Sequence, residues 1–459
     1  MRPPTLARYE RRLLMLAAML VAAGSTGCAT LRATAGSYEI GRNGIAKPQQ
    51  RLREALVRAD FPAALGQRED DQLLHALNIG ASTFYALQFS RSASVLDSAA
   101  LLADDRITTS LSRSALALVT NDLALAYQPR RTERLFIPYY SMLAYARLEQ
   151  WEDAAVEARR LSALLTQFAP DRTDDERSTH ATLHALAGAV FERAGERGEA
   201  QVSYRNARAL APQADSARPR YASGEGEVVI VVERGFVAHR VTESIDVFIG
   251  GEDRDSLRGG DDDRWSRAVA RIAGGMSPDD GRHVRRGRKR HHDDDDDDGY
   301  WLAIAFPSLR RSTHVPSAPA VLLDGVAMSG AIITGSIDDA TSADAGRERT
   351  GMIVRGLARA AARYAITRAV KDKKGDVAGT VVNIGASLLE RADIRSWHLL
   401  PQEISVVRLR VPAGLHQLQV VATDDSLIDL GPVTVHDGRV TITSTRIWSQ
   451  RTATAVASR

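Results

Sequence analysis

What this sequence of 459 residues lacks already narrows its chemistry. It holds a single cysteine, Cys28, so no disulfide can close within the chain and no thiol cluster can bind a metal. Basic and acidic residues nearly cancel, 60 against 57, leaving a net charge of +3. Nothing in that balance points to nucleic acid. After the N-terminal leader no apolar run is long enough to span a bilayer. His-Glu-x-x-His, Gly-x-Ser-x-Gly and the phosphate-binding Gly-x-x-x-x-Gly-Lys-Ser/Thr are all missing. Gly224-Glu225-Gly226 precedes a strand pattern instead of a helix, which makes it a poor dinucleotide loop. The sequence therefore names no catalytic residue, no metal ligand and no cofactor, and the expectation is a protein that is not an enzyme.

What is present centres on Asn121–Pro212. Its end carries Gly188, Phe191, Gly195, Ala200, Tyr204, Ala207 and Pro212. Small residues at 188 and 200 let two antiparallel helices approach closely, while Phe191 and Tyr204 fill the groove between them. This is the tetratricopeptide (TPR) spacing. A second copy places Tyr145, Trp151, Ala154 and Leu161 in equivalent positions, and a fainter third runs through Phe84, Ala93 and Ala100. Helical periodicity extends from about Gln50 to Leu210, broken at Pro62, Gly66, Pro129, Pro170 and Pro212.

The N-terminus has a different texture. Arg2, Arg8, Arg11 and Arg12 precede an apolar run from Leu13 to Ala23, the pattern of a secretory signal. It closes on Ser25-Thr26-Gly27-Cys28, which resembles the lipobox of bacterial lipoproteins, with Ser25 where that pattern usually has Leu. The resemblance implies cleavage before Cys28 and lipidation of its thiol. Ala29 follows, where the inner-membrane retention signal would be an Asp, so the resemblance implies the outer membrane.

Beyond Pro219 the pattern turns to strands: 227–233, 241–249, 300–306, 320–324, 331–337, 404–411, 415–422 and 440–447. Between them lies a charged tract, 250–299, with a basic block at 285–290, His291-His292 and six aspartates. It holds too little apolar surface to offset ordering entropy and reads as a disordered insertion. A helical insertion, 338–392, follows with Ala-rich periodicity and regularly placed arginines. The expected architecture is α+β and multidomain. A signal peptide spans 1–27, a tether 28–48, a TPR-like helical solenoid 49–215, and a β-sandwich-like domain with its two insertions 220–450. Together with Asn121-Asp122, Glu133-Arg134, Tyr139-Tyr140 and Ala154–Arg160, the stretch Asp393–Pro401 resembles an uncharacterised family of bacterial TPR-containing lipoproteins.

Asp122, Tyr127, Glu133 and Arg134 form the densest polar cluster of the helical half. Two readings stand. They bind a partner on the concave solenoid face, or Glu133 and Arg134 brace a helix start after Pro129. Trp397 sits where inserted helices meet returning strands and reads as buried and structural, with Arg395 bracing a carboxylate or carbonyl beside it. The expected function is that of a lipid-anchored, periplasm-facing adaptor at the outer membrane. Its helical repeats would hold an envelope protein or peptide in envelope biogenesis, cell-wall synthase activation or polymer export. The rival is a carbohydrate-binding or hydrolytic protein with a site around Trp301, Trp397 and His398; a deep polar pocket there would favour it.

Overall fold

The computed structural model describes residues 45–117, 126–212, 222–249, 300–311, 319–349, 351–352, 392–422 and 426–448. Expectations for the signal peptide, Cys28, Asp122, the charged tract 250–299 and the arginine-bearing run after 352 lie outside those residues. The class is α+β, with helices first and mixed sheets after.

The helices come as antiparallel pairs. After α1 (Lys47–Val57) and the short α2 (Phe61–Leu65) come α3 (Gln72–Tyr85) with α4 (Phe89–Ala117), α5 (Arg131–Arg147) with α6 (Trp151–Phe168), and α7 (Asp174–Arg193) with α8 (Arg197–Leu210). The three longer pairs turn identically, and Ala59 between α1 and α2 does the same, with φ of 55° and the Asp60 amide donating to the Ala55 carbonyl at 2.8 Å. Leu87, Glu149 and Gly195 each adopt a left-handed backbone, with φ of 59°, 59° and 84°. The next amide donates back to Thr83, Tyr145 and Phe191 at 2.9, 3.0 and 2.8 Å, satisfying a carbonyl left free at the helix end. This shared turn aligns the copies. Gly80, Met142 and Gly188 fall at one position, and Leu96, Ala158 and Tyr204 face it from the second helix. Gly188 is required there: a Cβ would lie 2.5 Å from the Tyr204 ring. The third copy sits one residue earlier than the sequence reading had it, on Thr83, Ser92 and Ala99.

Burial separates the two helices of each later pair. In α7 every residue from Thr179 to Phe191 is buried, so it touches neighbours on all sides. In α6 and α8 only one stripe is covered, formed by Ala154, Ala155, Ala158, Leu161, Leu165 and Phe168 in the first and Ala200, Ser203, Tyr204 and Ala207 in the second. The face that α5 and α7 turn away from α6 and α8 is occupied by the chain's own sheet. There Thr179 Oγ1 donates to the Ser336 carbonyl at 2.7 Å, and Arg147 reaches Thr443 at 3.0 Å.

That sheet has the order β10-β1-β7-β6, from β1 (Glu225–Arg234), β6 (Ala331–Ser336), β7 (Glu403–Pro412) and β10 (Val440–Ile447). β1 pairs antiparallel with β7 and parallel with β10. It is buried on both faces, which explains why Val228–Val232 is an unbroken apolar run instead of an alternation. Val229 and Val231 point to the helices, while Val228, Ile230 and Val232 point to a second sheet. The second sheet has the order β5-β4-β8-β9, from β4 (Ala320–Leu323), β5 (Val326–Met328), β8 (Gly414–Val421) and β9 (Leu427–Val435). The Pro412–His416 turn does not hydrogen-bond β7 to β8; the chain crosses at Ala413 from one sheet to the other. β2 (His239–Ile249) and β3 (Tyr300–Arg310) form a separate two-stranded ribbon. β5 and β9 escaped the sequence reading, β9 because Asp429, Gly431 and Pro432 break its alternation. A helix, α9, covers 337–349.

Candidate functional site

The predicted polar cluster and the Asp393–Pro401 stretch meet at one place, the start of α5. Glu133 is the third residue of that helix and accepts from the Arg130 amide at 2.7 Å, closing the helix start after Pro129. Its other oxygen accepts the backbone amide of Trp397 at 2.6 Å. Arg130 donates to the Arg395 carbonyl at 2.9 Å and pairs with Glu348, which also holds Arg240 at 2.6 Å. The Thr132 amide donates to Asp344 at 2.8 Å, and Arg347 joins Asp344 to Glu176. Burial raises the Asp344 carboxyl to about 6, against the pull of its bond to the Thr132 amide. Five segments distant in sequence are thus tied by charge-assisted bonds at one buried point.

Neither Tyr127 nor Glu133 offers a surface, because both are buried. The Tyr127 amide is spent on Asp71 at 3.0 Å. Arg134 is partly buried, its guanidinium 5.1 Å above the Phe168 ring. The concave-face reading of these residues does not fit their positions, whereas the helix-start role of Glu133 does.

Trp397 is 1% exposed and lies 5.7 Å from the Tyr140 ring. Arg395 clamps Asp393 at 2.8 Å through two nitrogens. The indole Nε1 has no hydrogen-bond partner among the described residues. A cavity of about 10 Å³ lies beside the ring, room for about one water.

Next to it lies a second buried centre. Glu233 accepts from Tyr85 at 2.8 Å and Tyr139 at 3.0 Å. Burial raises its carboxyl, while Arg446 opposes the rise. Arg446 donates to the carbonyls of Gly235, Leu399 and Leu400 at 2.6, 2.7 and 3.2 Å and stacks over Trp448 at 4.4 Å. Burial, then the charge of Arg446, lowers the nearby Arg53 to about 9; its guanidinium holds the His398 carbonyl at 2.6 Å. His398 is fully buried and burial keeps its ring neutral. Among the described residues Trp397 borders only the small cavity beside its ring and His398 is buried, so the deep polar pocket that the rival reading needs is not found there. The side chain of Trp301 lies outside the described residues. No group of metal-ligating side chains occurs among the described residues.

An open groove lies elsewhere, on the outer helical face. Ser162, Ala163, Thr166 and Gln167 of α6 form one wall, and Glu199, Val202, Ser203 and Asn206 of α8 the other. His184 of α7, 5% exposed, is the floor, and the groove measures about 500 Å³. The Arg159–Glu196 ion pair, at 2.6 Å, joins the same two helices where α8 begins. Burial, then the neighbouring His180, lowers the His184 ring to about 4, so the floor is uncharged at neutral pH. Sequence reading missed this groove; residues 199, 202, 203 and 206 share a helical face, but a polar stripe there reads as ordinary solvated surface. Compared with protein-family models, curated proteins and solved structures, this chain matches none, so the reading of the groove and the junction rests on their geometry.

Proposed function

We propose that this chain is a lipid-anchored adaptor of the bacterial envelope, without catalytic activity, held to the outer membrane through Cys28 and facing the periplasm. The observation that carries the proposal is the leader itself: four arginines, an eleven-residue apolar run and a closing Cys28 that is the sole cysteine. In support of a TPR-like array, three helical pairs share one turn, and in two of them a glycine of the first helix faces a large side chain of the second, Gly80 with Leu96 and Gly188 with Tyr204. In support of a sandwich-like β unit, two four-stranded sheets enclose a common aliphatic core. The inner face of the helical array is filled by this β unit, so partner contact belongs on the outer helical face. Mass spectrometry of the native protein should find residues 1–27 absent and an acylated Cys28. A soluble wild-type chain beginning well past Cys28 overturns the anchoring. Crosslinking in intact envelopes should then trap a protein or peptide on α6 and α8.

A further inference from the structure

Among helical-repeat arrays the inner face would be the place to look for a ligand, and here that face is closed by Thr179, Arg147 and the sheet residues they bond. The outer groove between α6 and α8 is open, and its chemistry is specific. Gln167 and Asn206 carry amides, groups that both donate and accept, while the Thr166 hydroxyl donates to the Ser162 carbonyl at 2.9 Å and the Ser162 and Ser203 hydroxyls are buried beneath. An extended peptide backbone presents the complementary set, N–H and C=O in alternation. From Glu199 to Asn206 the wall spans seven residues of helix, roughly 10 Å at 1.5 Å per residue. That length accommodates about three residues of extended chain. Glu199 contributes the sole formal charge among the lining residues at neutral pH, and Val202 is 40% exposed, an apolar contact for one side chain.

We propose that this groove binds an extended peptide segment carrying a Lys or Arg, whose side chain pairs with Glu199 while its backbone is held by Gln167 and Asn206. This deepens the adaptor reading by giving it a site and a ligand class. His184 makes a second, independent contribution. It is nineteen-twentieths buried, sits at the floor, and its Nδ1 has no partner among the described residues. Its neutral ring closes the floor and leaves the polar contacts of the groove to the amides on its walls. No aromatic ring lines the groove, so the stacking platform that a sugar ring uses is missing.

The test uses the purified full chain and a phage-displayed library of random linear peptides. Peptides selected against the wild type should be enriched in Lys or Arg and bind in an anisotropy assay. The double variant Gln167→Ala, Asn206→Ala should weaken the selected peptides about tenfold or more. Glu199→Gln should remove the preference for basic peptides, while Glu199→Lys should reverse it. All three positions lie on the outer face, and circular dichroism of each variant checks that the helices are kept. Selection of no peptide above background overturns the proposal, as do selected peptides whose affinity is unchanged by the groove variants, or a preference for acidic peptides. Acylation of Cys28 is read in a separate experiment, so an anchored chain that ignores peptides refutes this site and leaves the anchoring reading standing.

Discussion

β1 separates two interiors that are built from different materials. On its sheet side, Val228, Ile230 and Val232 share an aliphatic cluster with Val321, Leu323, Val407, Leu409, Leu418 and Val420 that holds no aromatic ring, and a buried ion pair, Arg234–Glu403 at 2.6 Å, closes that face at its end. On its helix side, Val229 and Val231 belong to a core that also holds Tyr139, Tyr140, Phe136 and Trp397, and buried Glu233, Glu133 and Arg446 stand beside it. The aliphatic interior needs only volume and alternation, and tolerates interchange of similar shapes. The mixed interior is directional: each carboxylate has fixed donors, and removing one leaves an unpaired charge in a dry place. The same strand is therefore forgiving on one face and exacting on the other.

The sharpest way to break this contrast is on the helix side. Trp397→Ala should cost about 3–5 kcal/mol, the usual loss for emptying a buried aromatic site. Because Trp397 sits where helices and sheet share a core, thermal unfolding followed by helix and strand signals should shift as one transition. A shift in the strand signal alone would mean that the two regions unfold separately. Arg446→Met should cost roughly 3–5 kcal/mol by leaving Glu233 without its cation. Adding Glu233→Gln should recover part of that loss, and a strictly additive double variant would show that the two groups do not interact.

A pH titration reads the helix side again, now through histidines. Burial lowers both His180 and His184 to about 4, below the unfolded value near 6.5. Between those values the unfolded chain binds more protons, so stability is full above about pH 6.5 and falls as pH drops toward 4. The loss should be on the order of 3 kcal/mol for each histidine, and denaturant midpoints of wild type against His180→Gln, His184→Gln would measure it. A wild-type curve no steeper than that of the double variant would remove these histidines from the account.

On the sheet side, Ile230→Val should cost only about 1 kcal/mol. A loss as large as that of Trp397→Ala would erase the distinction between the two interiors. The smallest effect concerns the turns. Leu87 is exposed and left-handed, so Leu87→Gly should stabilise the chain by roughly 0.5–1 kcal/mol by removing Cβ strain. A lower melting temperature would show that the exposed side chain matters more than the backbone.

Local features were legible in the sequence and long-range ones were not. Gly188 with Tyr204, the closing of a helix start by Glu133 and the burial of Trp397 each follow from neighbours a few residues away. The third copy differs by one residue between sequence and structure, and only the turn at Leu87 fixes its register. The meeting of Glu133 with Trp397 spans 264 positions, and no periodicity carries information over that distance. The helical and β segments read as separate domains for the same reason: their common core is made of contacts between helices and strands that are remote in sequence. The groove stayed hidden because its residues are ordinary for a solvated helix face until α6 and α8 are placed side by side.

The parallel pairing of β1 with β10 has a consequence in time. A chain made from its N-terminus completes Glu225–Arg234 some two hundred residues before Val440–Ile447 exists. β1 has both ladders unmade until Glu403–Pro412 is complete and one unmade until Val440–Ile447 follows, and Tyr85 and Glu233 wait for the cation that Arg446 brings. The helices can pair early through local contacts, but the strand beneath them cannot be sealed until the last one arrives. Slow, late closure follows, as for any fold ruled by distant pairings. During that interval the open edge of β1 is the place where a second chain would join by mistake.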